Sequence, residues 1–279
     1  MDLHIHTKNS DGDYTLEEIL SRIRTNGVST FSITDHDNIS SIKQIKKYDI
    51  SDLNYITGVE ISSHLNGLKI HVLGYNFKIT EELQRLLLRI SILRRVRILE
   101  MLDFLKNNHN IEFKDSDVIK LLGNQETLNE THVFSLLVAY GYGNNFKTVN
   151  KQYLKGYRND EYQVPVYNSA NSIIKANGIP VLAHPKEVED DYKLDIEELI
   201  VPLINNGIQG IEIYNKRHSS EDTKRYLALA NKYHLLISGG SDFHRKLKDE
   251  DMEIGELNKA RAKVRSLGIT KEISRRNAL

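Results

Sequence analysis

His4 and His6 stand two residues apart in Asp2-Leu3-His4-Ile5-His6, so on an extended strand both rings fall on one face. Two imidazoles side by side on a strand are costly to bury unless something pairs with them; a metal ion and a solvated edge are the two ways out. The same residue types recur in Ile33-Thr34-Asp35-His36-Asp37, in Gly58-Val59-Glu60, at His71, in Ala183-His184-Pro185 and in Gly240-Ser241-Asp242-Phe243-His244. Imidazole and carboxylate without thiolate suit zinc, manganese or iron. So many donors exceed what one tetrahedral ion with an open position needs, and suffice for two or three ions if one carboxylate bridges. His64, His109 and His234 lie outside these runs and read as surface histidines.

These residues need elements to position them. Runs rich in Val, Ile and Leu at Asp2–His6, Thr30–Thr34, Tyr55–Ile61, Lys69–Tyr75, Ile179–Ala183, Ile208–Tyr214 and Leu235–Ser238 predict strands buried on both faces. Helical patterns at Thr15–Asn26, Ser169–Asn177, Ile196–Asn205 and Ser219–Lys232 fall between them, several ending near a glycine (Gly27, Gly178, Gly207). Alternation of this kind predicts a mostly parallel sheet, open or closed into a barrel. Almost every strand then carries a His, Asp or Glu at its carboxyl end, the rim where barrel enzymes gather catalytic groups. The rhythm breaks between residues 79 and 158, where a long helix over Glu81–Asn107 leads a helical insertion; its Leu/Ile spacing predicts a packed helix with a solvated face. We expect an insertion at 79–158 within a domain made of 1–78 and 159–279.

Composition limits the function classes. The 279 residues carry 38 Lys plus Arg against 38 Asp plus Glu, and this neutral balance argues against a protein held on duplex DNA by bulk positive potential. Cysteine is absent, which removes disulfides, thiolate metal sites and cysteine nucleophiles together. The opening Met1-Asp2-Leu3-His4-Ile5-His6 has no basic start followed by a long apolar stretch, and the most apolar helical run, Leu86 to Leu102, is broken by Arg89, Arg94, Arg95 and Arg97. A cytoplasmic protein with no membrane partner is the expectation. The oligomeric state is not legible.

The motifs Asp2-Leu3-His4-Ile5-His6-Thr7, Ser10-Asp11-Gly12, Ile33-Thr34-Asp35-His36-Asp37, Gly58-Val59-Glu60, Ala183-His184-Pro185 and Gly240-Ser241-Asp242-Phe243-His244 resemble, in order, those of the PHP (polymerase and histidinol phosphatase) superfamily of metallophosphoesterases, in particular its small nucleotide-phosphatase branch. The resemblance covers the chain from end to end. It implies an α/β fold, a distorted (β/α)7 barrel with the helical insertion. It also implies a trinuclear site of manganese, iron or zinc. His4, His6, Glu60 and Asp242 would hold one ion, Glu60 would bridge to a second completed by His71 and His184, and Asp11, His36 and His244 would hold the third. Asp11, His36, Glu60, Asp242 and His244 would carry catalysis, with Asp35 and Asp37 orienting ligands from behind. The implied reaction is hydrolysis of a phosphate monoester by metal-activated hydroxide, without a covalent protein nucleophile.

The same branch implies a small phosphorylated substrate: a nucleoside 3′,5′-bisphosphate, a nucleoside monophosphate or a short RNA 5′ end. Ile211-Glu212-Ile213-Tyr214 followed by His218-Ser219 matches a stretch that reaches the substrate phosphate in that branch, so His218 is a candidate contact. His132 occupies the place of a segment that usually reads Arg-Pro-His, but here Glu130 and Thr131 replace the Arg and Pro. An Arg fork grips phosphate at two points, and a Glu would repel it. Either Arg217, Lys186 or Arg158 takes over, or the substrate differs. Histidinol phosphate is an alternative substrate, and a non-catalytic PHP-like scaffold is the alternative to an enzyme; the full ligand set disfavours the scaffold.

Overall fold

The computed structural model describes residues 1–123, 128, 130–157, 164–246, 248 and 251–278, without the side chains of 130, 131, 146 and 147. In chain order the elements are β1 (Asp2–Ile5), α1 (Leu16–Thr25), β2 (Thr30–Ile33), α2 (Ser40–Gln44), β3 (Asn54–Tyr55), β4 (Gly58–Leu65) and β5 (Leu68–Tyr75). Four helices follow, α3 (Glu81–His109), α4 (Asp115–Gly123), α5 (Glu130–Ala139) and α6 (Phe146–Tyr153). The chain then returns to β6 (Val164–Pro165), α7 (Val166–Lys175), β7 (Ile179–Leu182), α8 (Pro185–Tyr192), α9 (Glu197–Asn205), β8 (Gly210–Tyr214), α10 (Ser220–Tyr233), β9 (Leu236–Gly239) and α11 (Gly268–Asn277). Two compact units result, one of 1–86 with 164–279 and one of 87–163.

The first unit does not form the closed barrel expected. Its strands divide into a three-stranded sheet, β1-β2-β3, and a six-stranded sheet, β6-β4-β5-β7-β8-β9. Where the two sheets approach, single bridges Ile5↔Phe243 and His36↔Glu60 stand in place of a continuous ladder. Nor is the order mostly parallel around β5, which pairs antiparallel with both β4 and β7. The cause is local: Asn66 (φ 51°) and Gly67 (φ 80°) make a two-residue turn between β4 and β5. Two consecutive left-handed residues close a tight hairpin, and an Asn-Gly pair adopts that shape at least cost.

Helices cover the sheets by burying one stripe each. In α1, Leu16, Ile19, Leu20 and Ile23 are buried at the i, i+3, i+4, i+7 spacing. A capping box starts that helix: the Glu18 amide donates to Thr15 Oγ1 (3.3 Å) and the Thr15 amide to Glu18 Oε2 (2.7 Å). The stripe joins Ile5, Phe31, Ile33 and Phe243 in one core cluster, while Leu3, Leu73, Ile179, Val181 and Ile269 belong to another. The chain segments bearing the chemistry-capable residues are thus anchored by apolar neighbours in sequence. One glycine matters to their spacing. A Cβ on Gly240 would stand 2.3 Å from the His4 backbone nitrogen, so only glycine lets the turn after β9 lie against β1.

The second unit packs Ile98, Met101 and Leu105 of α3 with Val133, Leu137, Val149 and Leu154. Arg94 donates to the Leu128 carbonyl at 2.8 Å, and Tyr140 donates to Asp117 Oδ2 at 2.5 Å. Among the described residues, no helix is long and apolar enough to cross a membrane.

Candidate metal centre

The first unit brings His4, His6, Asp11, His36, Glu60, His71, His184, Asp242 and His244 into one cluster of overlapping metal-competent groups. β1 places His4 and leads directly into His6; the ends of β2, β7 and β9 lead into His36, His184 and the Asp242–His244 turn. Glu60 and His71 lie within β4 and β5, and the antiparallel turn of β5 is what faces His71 toward Glu60.

Glu60, fully buried, is the hub. Its Oε2 lies 3.1 Å from His4 Nε2, 3.2 Å from His6 Nε2 and 3.3 Å from His36 Nδ1. Its Oε1 lies 2.9 Å from both His71 Nδ1 and His184 Nε2. Asp242 Oδ1 stands 3.5 Å from His4 Nε2 and 3.4 Å from His6 Nε2. Asp11 Oδ1 lies 3.3 Å from His244 Nε2, and Asp11 Oδ2 lies 3.8 Å from His36 Nε2. His36 therefore stands between the Asp11–His244 pair and Glu60.

Several ring nitrogens in this cluster are buried without a hydrogen bond. Both ring nitrogens of His6 and the Nε2 of His71 are buried without a hydrogen-bond partner. Such orphans cost about 1–3 kcal/mol each, a cost that coordination to a cation removes. Buried nitrogen and oxygen donors without thiolate fit a hard or borderline divalent ion. The residues present therefore fit a metal centre.

Electrostatics follow from the crowding. Burial would raise Glu60, but the surrounding His36, His4 and His71 and the bond to His184 hold it well below the usual carboxylate range. Burial would lower His6, but Asp242 and Glu60 outweigh it and push it up to about 9. His4 is raised in the same way by Glu212, Glu60 and Asp242, against the effect of burial. His36 goes the other way, because burial outweighs the attraction of Glu60 and Asp11.

A shell of further residues fixes these side chains. Glu212, fully buried on β8, sets its Oε1 2.9 Å from His4 Nδ1, while its Oε2 accepts from the His184 amide (2.8 Å) and Asn215 Nδ2 (3.0 Å). In the sequence Glu212 stood within the Ile211–Tyr214 stretch, with no role of its own assigned to it. Asp2 accepts from the Ser241 amide at 2.9 Å and the Gly255 amide at 2.8 Å, tying the Asp242–His244 turn to β1. The Asp35 carboxylate takes the Thr7 amide (2.6 Å), the Ser10 hydroxyl (2.9 Å) and the Ser41 hydroxyl, and so shapes the loop that carries Asp11. Asp37 Oδ1 accepts from the Ser62 amide at 2.8 Å. Asp37 (φ 51°), His184 (φ 23°) and Asp242 (φ 52°) all hold left-handed backbone, strain of about 1–3 kcal/mol each of the kind that collects at functional sites.

The cluster opens into a cavity of about 790 Å³, whose cations among the described residues are Lys69, Lys216, Arg217 and Arg245. Of the expected substrate contacts among the described residues, Arg217 alone lines it. Lys186 pairs with Asp190 along α8. His218 is buried, donates Nδ1–H to the Ile213 carbonyl at 2.7 Å and packs its ring 4.9 Å from that of Tyr226, because the Ser219–Asp222 capping box of α10 turns the chain inward there. His132 stands on α5 in the second unit. Arg158 and the side chains of Glu130 and Thr131 lie outside the described residues. Lys216 was not anticipated: it bonds Asp242 through Oδ2 (3.0 Å) and through the carbonyl oxygen.

A family model described as PHP domain matches residues 2–214. A 3′,5′-nucleoside bisphosphate phosphatase of Chromobacterium violaceum is 26% identical, aligned over 88% of this chain and 87% of its own. A 5′-3′ exoribonuclease of Haemophilus influenzae is 30% identical, over 87% of this chain and 89% of its own. A solved structure of an amidohydrolase from Chromobacterium violaceum with bound sulfate and no metal superposes with a TM-score of 0.79 at 26% identity, covering 99% of this chain and 96% of that one. With a buried carboxylate–imidazole cluster able to hold metal, and with relatives named as a phosphatase and an exoribonuclease, the chain belongs to the PHP domain family and is a phosphoesterase.

Proposed function

We propose that the protein removes phosphate from a small nucleotide-like substrate, a nucleoside 3′,5′-bisphosphate, a nucleoside monophosphate or a short RNA 5′ end. The observation that carries this reading is the division of Glu60 between two sets of imidazoles, His4, His6 and His36 on one oxygen and His71 and His184 on the other. A carboxylate so placed is suited to bridge two ions. His4, His6, Glu60 and Asp242 would hold one, Glu60, His71 and His184 a second, and Asp11, His36 and His244 a third; manganese, iron and zinc suit the donors. When bound, such ions supply charge against the phosphoryl oxygens and a water of lowered pKa.

The chain's own residues do the rest. Glu212 fixes the His4 ring, Glu187 Oε2 lies 3.1 Å from His184 Nδ1, and Lys216 holds the Asp242 carboxylate in place. Arg217, at the cavity wall and 3.5 Å from Glu187, gives the substrate a cation. The volume near 790 Å³ accommodates one nucleotide, being within the range of ordinary small-molecule sites. The relatives reported above give the histidinol-phosphate reading no support.

Phosphate release by manganese-loaded protein tests the proposal, with Asp242→Asn as control. The panel holds a nucleoside 3′,5′-bisphosphate, a nucleoside monophosphate, histidinol phosphate and a short 5′-phosphorylated RNA. Release from a nucleotide that Asp242→Asn abolishes is the expected result. Preference for histidinol phosphate, or no release from any of the four with metal bound, would overturn it.

A further inference from the structure

We propose that Lys69 binds a second anionic group of the substrate, one that does not react, and so sets a preference for nucleotides carrying a second phosphate or phosphodiester over monophosphates; this rests on the phosphoesterase reading above. Among the described residues, four cations line the cavity. Three of them are already engaged: Lys216 with Asp242 (3.0 Å), Arg217 with Glu187 (3.5 Å) and Arg245 with Asp13 (3.7 Å). Among the described residues, Lys69 has no carboxylate within 4 Å, although it shares a small recess with His71, His184 and Glu187. Among the described cations of the cavity, it is the one that an incoming anion meets without first breaking an ion pair within 4 Å, although Glu187 and Asp191 lie in the same recess.

Its place on the strand says which part of the substrate it meets. Lys69 and His71 are two residues apart on β5 and so face the same side. One strand repeat, roughly 6.5–7 Å, separates their backbones. On the phosphoesterase reading the reacting phosphate lies at the metal cluster, whose part nearest Lys69 along the strand is His71, with His184 and Glu60 beside it. Lys69 lies one repeat outward, where a substituent extending past the reacting group would pass. A second phosphate, or the next phosphodiester of an RNA, is the chemistry a solvated ammonium recognises there. The Lys69 amide donates to Tyr192 Oη at 2.8 Å, which pins the backbone while the side chain stays free to reach.

The test compares wild type with Lys69→Gln and Lys69→Arg on adenosine 3′,5′-bisphosphate and on AMP. Loss of a charge-assisted contact predicts a KM for the bisphosphate raised about tenfold to a hundredfold in Lys69→Gln, with kcat held, little change for AMP, and recovery in Lys69→Arg. Equal losses on both substrates would place Lys69 on the reacting phosphate, and no change on either would make it an ordinary solvated lysine; each result overturns the inference. If wild type turned over neither compound, the two mononucleotides would drop out as substrates without any bearing on Lys69. The same selectivity read as calorimetric dissociation constants of the two nucleotides would then decide the role of Lys69.

Discussion

Glu212 Oε1 lies 2.9 Å from Nδ1 of His4, with both side chains fully buried. Held on that side, the His4 ring offers its other nitrogen, Nε2, to Glu60 and Asp242. A carboxylate behind a ligating imidazole fixes its tautomer and raises its basicity. Glu212→Gln is expected to lower metal affinity roughly tenfold to a hundredfold while leaving the fold intact. Metal content after dialysis against a graded chelator, alongside circular dichroism, checks this; unchanged affinity would mean that Glu212 serves only the His184 amide.

Because Glu60 faces five imidazoles with its two oxygens, its replacement acts on more than one ion. Glu60→Gln is expected to reduce bound metal by more than one equivalent and to abolish phosphate release. His36→Ala removes one imidazole and is expected to deplete mainly a single equivalent. Elemental analysis of both variants separates the outcomes, and a Glu60→Gln protein with full metal would disprove the bridge.

In the metal-free protein His4, His6 and His184 carry protons that metal must displace. His6 is raised to about 9, and His4 and His184 are raised as well, burial being outweighed in each by neighbouring carboxylates. Coordination needs the lone pair, so loading at pH 7 is expected to release protons, and affinity to rise with pH toward 9. Calorimetry in buffers of different ionisation enthalpy reads the proton count directly. The stability that these raised values give the metal-free fold is fully present below about 6.5 and is lost as pH rises through them. The melting temperature of the metal-free protein should accordingly fall over that range, and metal should remove the fall.

Glu189 holds three elements together away from the metal centre. It accepts from Tyr226 Oη (2.7 Å), from the Ile196 amide (3.0 Å) and from Arg225. Burial would raise it, but those bonds, Arg225's first, leave it below the ordinary range. A depressed carboxylate contributes stability above its unfolded value and loses it as pH falls through the folded one. Arg225 is partly exposed, which screens its share, so Glu189→Gln is expected to cost about 1–2 kcal/mol at pH 7. That difference should shrink below pH about 4.5 in denaturant titrations.

Much of the cluster was legible because metal ligands come as rare residue types at strand ends. His4 and His6 on one face, Asp-His-Asp after an apolar run and Asp-Phe-His after Gly-Gly are visible without coordinates, since period-two geometry and turn glycines are local properties. The Asn66-Gly67 turn was local too, and reading it would have made β5 antiparallel. What tertiary structure decided was everything between distant segments. Glu212 reaches His4 across 208 positions, and Asp2 reaches Gly255 across 253. Lys216 meets Asp242, and the two sheets touch at single bridges instead of closing. His218, Lys186 and Lys69 show the same division: their spacing in the chain is plain, but which of them faces the cavity depends on how α8, α10 and β5 pack. Residue type and local period fix which groups can ligate and along which edge they lie. Which carboxylate stands behind which imidazole, and which cation is left unpaired, is fixed only when burial brings segments far apart in sequence within a few ångströms.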